Sequence, residues 1–185
     1  MTSPHPTQTK PLRSGTFAGF MQFLFGGVVM PIAIGMLLTL LGGSVMMIIA
    51  LSDPGAFGPG SENSFDFPGM LPAIYAASLV VTALSAYVGT LIVRELFVFA
   101  DAARARLTAT LCFVGLSVLS LALTALLAVV GSTGGDKEAI GHLPWDLLSH
   151  IVDAAAFSLV TYRFLRPNAI SGGQGGIGTQ THQQP

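Results

Sequence analysis

The sequence predicts an all-α membrane protein, a bundle of four transmembrane helices, and three observations predict it. Charged residues make up 9% of the 185-residue chain, against roughly 25% in a soluble globular domain. Those charges are segregated as well: none occurs from Ser14 to Ser52, from Phe67 to Val93 or from Leu107 to Gly135. Each run exceeds the ~20 residues that carry a helix across a ~30 Å hydrocarbon core. Finally, the basic residues alternate between links in the way that insertion into a bilayer sorts them. A fourth segment, Pro144 to Leu165, is apolar apart from a few polar groups. Four spans leave no room for a separate soluble domain.

Taken in order, residues 1–14 are polar and carry Pro4, Pro6 and Pro11, which predicts a disordered cytoplasmic tail. The apolar run from Phe17 to Leu51 is too long for a simple upright span. Gly26, Gly27 and Pro31 are the natural place to break it, because proline removes a backbone donor and clashes with the preceding turn. Two arrangements follow. In one, Thr16–Phe25 is an interfacial helix rich in Phe, and span 1 covers about 29–51. In the other, a single steeply tilted and kinked helix runs throughout. The link that follows is rich in Gly, Pro and Ser, with Phe57, Phe65 and Phe67 placed to rest on a membrane surface.

Span 2 covers about 71–93 and is expected to continue as helix through Glu95 to Ala100. Span 3 covers about 107–130, with Gly131, Gly134 and Gly135 ending it, and span 4 covers about 144–165. The transmembrane domain is thus 15–166. Residues 167–185 form a second cytoplasmic tail, Gly/Gln-rich from Ser171 and expected to be flexible. The first apolar run is far longer than the ~7–15 residues of a secretory signal, although Lys10 and Arg13 imitate its basic start.

Lys and Arg in short links are retained on the cytoplasmic side. Lys10 and Arg13 precede span 1, Arg94, Arg104 and Arg106 lie between spans 2 and 3, and Arg163 and Arg166 close span 4. The two remaining links hold only Lys137. The count places both termini in the cytoplasm and requires an even number of spans, as expected for a multi-pass protein of the bacterial inner membrane.

Small and hydroxylated residues recur at helical spacing. Gly35, Thr39 and Gly43 form a small face on span 1 that lets another helix come close. Span 2 carries Tyr75, Ser78, Thr82, Ser85 and Gly89 on one face, and span 3 carries Thr110, Ser117, Ser120 and Thr124. Such faces serve either as packing surfaces in the bundle or as the lining of a hydrated pathway.

Span 4 is the most informative. Asp146, His150 and Asp153 fall within about 60° of one another on a helix. Ser149 and Thr161 flank that face, and His142 precedes it. Asp146 sits in the first turn after Pro144, where the helix dipole favours a carboxylate, beside Trp145 at the interface. Asp153 lies nine residues beyond Pro144, about 13.5 Å along the axis and near the middle of the hydrocarbon. A carboxylate there costs at least ~2.5–3.5 kcal/mol and needs partners. His150 or Ser/Thr hydroxyls of spans 2 and 3 would make it a structural clamp; a titrating Asp153–His150 pair would make it a functional site.

Other chemistry is poorly supported. Cys112 is the only cysteine, so no intrachain disulfide, cysteine zinc cluster or CxxC pair forms. His142, Asp146 and His150 lack an HExxH pattern or a second ligand pair, so no metal is expected. Spans 1 to 3 have no histidine to complete haem ligation, and Met46, Met47 and Met70 read as packing. No cofactor is expected. With a net charge of −1 and no basic stripe, nucleic acid is not an expected partner either. No nucleophile–base pattern stands out, so the chain is not expected to be an enzyme. The remaining expectation is association through helix faces, with itself or another membrane protein, as an accessory subunit, assembly factor or immunity-type binder. The alternative is a small oligomeric proton-coupled transporter or channel using Asp153 and His150.

Overall fold

The computed structural model describes residues 12–53, 67–133 and 138–166. Four helical runs in it are long and apolar enough to cross a membrane: Gly15–Ser52, Met70–Leu96, Ala102–Thr133 and Leu143–Phe164. The first is continuous. Helix α1 (Gly15–Gln22) leads through a π-helical segment (Phe23–Val29) into α2 (Met30–Ser52). No break separates an interfacial helix from span 1, so of the two arrangements the structure takes the uninterrupted, distorted helix. The reason lies at Pro31, in the first turn of α2. Its ring would collide with the carbonyl of Gly27, four residues back. Widening the preceding turn relieves that clash without unwinding the chain, and the N–H of Met30 accordingly reaches back to the Phe25 carbonyl.

Helix α3 (Phe67–Leu96) stops earlier than the sequence predicts. Val98–Phe99 instead form a strand, β2, that pairs in parallel with β1 (Leu12–Arg13), so two residues of the expected disordered tail are ordered by pairing. The rest of that tail lies outside the described residues, as do Phe57, Phe65, Gly134, Gly135 and all of the final tail beyond Arg166. Ser14 then caps α1, its hydroxyl accepting from the Phe17 N–H at 3.2 Å. Asp101 plays the same part for α4 (Ala102–Thr133), accepting from the Arg104 N–H at 2.9 Å. A single turn, α5 (Glu138–Gly141), precedes α6 (Leu143–Phe164), which has proline in its first turn.

The arginine-bearing ends of α3, α4 and α6 gather with β1 and β2. Arg106 Nε donates to the Leu165 carbonyl at 2.9 Å, tying the start of α4 to the end of α6. Ala18, Val93, Phe99, Ala105 and Leu165 are buried together beneath this end. A second apolar cluster, Ala86, Ala109, Phe113 and Phe157, lies further in. Helix α1 packs on α4, the π segment packs on α3, and α6 packs against both α3 and α4. Helix α2, by contrast, has no buried residue.

Candidate functional site

The ionisable groups of α6 are positioned by its pairing with α3. The two helices run in the same direction, since contacts step forward along both. Nearest the end remote from the arginines, the Tyr75 hydroxyl donates to Asp146 Oδ1 at 2.9 Å. Further along, the Ser78 hydroxyl donates to Asp153 Oδ2 at 2.7 Å. Asp153 is 9% exposed and therefore nearly enclosed. The hydroxyl partner comes from the face of span 2 that the sequence marks as polar.

One turn beyond Asp153 the character of the seam changes. Phe157 is fully buried and stacks on Phe113 of α4, with ring centroids 4.2 Å apart and planes 3° from parallel. Another turn on, polarity returns. The Gln22 amide, fully buried, donates from Nε2 to the Ala86 carbonyl at 3.0 Å, to Thr90 Oγ1 at 2.9 Å and, more weakly, to Thr161 Oγ1 at 3.4 Å. Thr90 in turn donates to the Ala86 carbonyl at 2.7 Å. Asp153, Phe157 and Thr161 are the buried residues of α6 and sit at four-residue steps on one face. That face therefore reads polar, aromatic, polar.

The three-way knot around Gln22 joins the first helical run, α3 and α6 at one point. It is possible because the backbones there come unusually close. A Cβ on Gly89 would lie 2.6 Å from both the Cα and the N of Gly26. On Gly19 it would lie 2.4 Å from the Ala105 carbonyl oxygen. Any side chain at these positions would push the helices apart. Gln22 Oε1 and Ser85 Oγ are buried with no hydrogen-bond partner among the described residues.

The other residues singled out from sequence are distributed as follows. His150 lies on the α4 side of α6, in a shallow recess with Val114, Ser117 and Leu121, and makes no hydrogen bond or ion pair with Asp153. Helix α6 is wedged between α3 and α4, so a 60° offset is enough to send the two side chains to different neighbours. His142 lines a separate cavity with Pro72, Tyr75 and Trp145. Among the described residues no group of three or more His, Cys, Asp or Glu side chains is placed to hold a metal ion. Thr82 and Ser85 are buried on α3, and Gly89 makes the contact with Gly26. Ser117 and Thr124 donate to carbonyls of their own helix, at Phe113 and Ser120. Thr39 does the same at Gly35, and among the described residues nothing lies within 4 Å of where a Cβ would stand on Gly35 or Gly43.

Sequence reasoning missed Gln22, Gly15 and Gly19, and read Gly26 as a helix break where the structure makes it the contact for Gly89. A signal exists: Gln22 is the single Asn or Gln in the four apolar segments, and Gly15 and Gly19 have the same four-residue spacing as Gly35, Thr39 and Gly43. Comparison with known proteins adds no relative: no family model matches the chain, and no curated protein or solved structure matches it.

Proposed function

We propose that the chain is a non-enzymatic, multi-pass protein of a bacterial inner membrane, a four-helix transmembrane bundle with both termini cytoplasmic. In this reading it works by helix–helix association, as an accessory subunit, an assembly factor or an immunity-type binder. One observation carries the reading. Helix α2 offers 23 residues without a buried position, and among the described residues nothing lies within 4 Å of where a Cβ would stand on Gly35 or Gly43. Exposed Leu and Met there need only lipid, but two glycines on one face leave a hollow that a second helix fills better than acyl chains do. The polar seam supports the same reading. Ser78 and Tyr75 each donate to a carboxylate of α6 and so hold that helix in place, while His150 faces α4.

A photo-crosslinking side chain placed at Gly35 or Gly43 in native membranes tests this. The expected product is a discrete protein adduct, either with a second copy or with another membrane protein. It should disappear when the other glycine of the pair is changed to Leu. Adducts with lipid alone at both positions would refute the association reading.

The transport reading rests on Asp153, whose side chain has one neutral hydroxyl as its hydrogen-bonding partner among the described residues. Against it stand the Phe113–Phe157 stack, which interrupts the polar seam, and the separation of His150 from Asp153. Proton flux into liposomes that Asp153→Asn abolishes, with assembly intact, would reverse this preference.

A further inference from the structure

We propose that the groove between α3 and α6 binds a lipophilic organic cation, with Asp153 as its counter-ion and Tyr75 and Trp145 as aromatic walls. Two cavities, of about 260 and 280 Å³, share Tyr75 and Trp145 in their linings. The first reaches inward along Leu79 and Val152 to Asp153. The second opens toward the end remote from the arginines, beside His142. Together they approach the few hundred Å³ typical of small-molecule sites.

Charge selects the occupant. Asp153 is enclosed and has only the Ser78 hydroxyl; among the described residues no Lys, Arg or His pairs with it. The titratable groups around it are accounted for: Asp146 is held by Tyr75, His142 stands at the far mouth, and His150 faces α4. A carboxylate buried without a counter-charge is costly to ionise, so a ligand that brings a positive charge gains most by reaching it. Aromatic faces add attraction for the same sign of charge. An inorganic divalent ion does not suit the site, because it needs about six oxygen ligands and this groove is walled mainly by hydrocarbon. The body of the ligand must therefore be apolar. Trp145 is 59% exposed, which leaves the wall open for entry from the side. The groove belongs to a single copy of the chain and does not depend on the association proposed above.

The chain has one tryptophan, Trp145, so its fluorescence reports this groove directly. The full chain in phosphatidylcholine nanodiscs is titrated with tetraphenylphosphonium and, separately, with tetraphenylborate, which has nearly the same shape and the opposite charge. Saturable quenching by the phosphonium alone is expected. Asp153→Asn should weaken it roughly tenfold or more. Ala76→Phe, which narrows the groove without touching the charge, should abolish it and keeps the test available if the Asn variant fails to fold. Equal responses to both ions, or unchanged affinity in either variant, would mean simple partition into lipid and would overturn the proposal.

Discussion

The two halves of the first helical run behave in opposite ways. Along α1 and the π segment, Gly15, Ala18, Gly19, Gln22, Gly26 and Gly27 are buried, chiefly against α3 and α4. Along α2, which is Leu-, Ile- and Met-rich, nothing is buried. In water the order would be reversed, because apolar area is what drives burial there. In a bilayer the lipid tails are as apolar as leucine, so packing is decided by how closely backbones approach and by which polar groups need partners. Glycine and one glutamine meet both conditions in the first half. Large aliphatic side chains meet neither in the second.

This contrast can be broken most directly at glycine. Gly89→Leu places side-chain atoms where the Gly26 backbone stands, and neither backbone can yield without separating α3 from the π segment. The expected cost is about 3 kcal/mol or more, the upper range for overpacking, seen as loss of monodisperse protein and a large fall in detergent Tm. At Gly42, on α2, an added Cβ meets nothing within 4 Å among the described residues, so Gly42→Leu should cost about as little as an ordinary surface substitution, ~0.5 kcal/mol. Comparable losses at both positions would mean that α2 is as tightly held as α1.

Gln22→Leu is next in size. It keeps the volume and removes the donor shared by the Ala86 carbonyl, Thr90 and Thr161. A loss of about 1–2 kcal/mol is expected, near the top of what single polar contacts contribute in membranes. A neutral or stabilising result would show that close packing alone, rather than the amide, joins the three helices.

At Asp153 a smaller effect is expected, and its sign depends on the replacement. Asn still accepts from the Ser78 hydroxyl and cannot ionise, so thermal stability should hold or rise slightly. Ala leaves that hydroxyl without its partner and should cost up to about 1 kcal/mol. The environment can be checked independently: a spin label at Leu159, which is 71% exposed, should contact lipid far more than one at Asp153. Equal contact at both sites would put Asp153 on the lipid face and remove the basis of the seam.

The least effect is expected from Ser117→Ala and Thr124→Ala. Both hydroxyls are satisfied by carbonyls of α4 itself, so the change in Tm should stay within measurement error. A clear loss would reveal a contact across helices at these positions.

These residues also show how far a sequence can be read. Ser78 and Ser117 look alike in sequence, each a hydroxyl on a polar face of an apolar helix. Ser78 grips Asp153 across an interface, whereas Ser117 turns back on its own backbone. Helical periodicity assigns each an angle on its cylinder and nothing more. Which neighbour occupies that angle depends on the rotation and pairing of whole helices, and those are non-local.

Composition and charge spacing alone determined the number of apolar helices and the placing of arginines at the ends of three of them, because burying charge in an apolar phase is costly at every position independently. Tertiary structure alone decided that Asp153 meets Ser78 while His150 turns to α4, that the proline-bearing run stays continuous through a π turn, and that Gln22 rather than any ionisable group joins three helices. Those outcomes depend on where backbones approach to within a glycine's width, and that is a property of pairs of helices that no single segment contains.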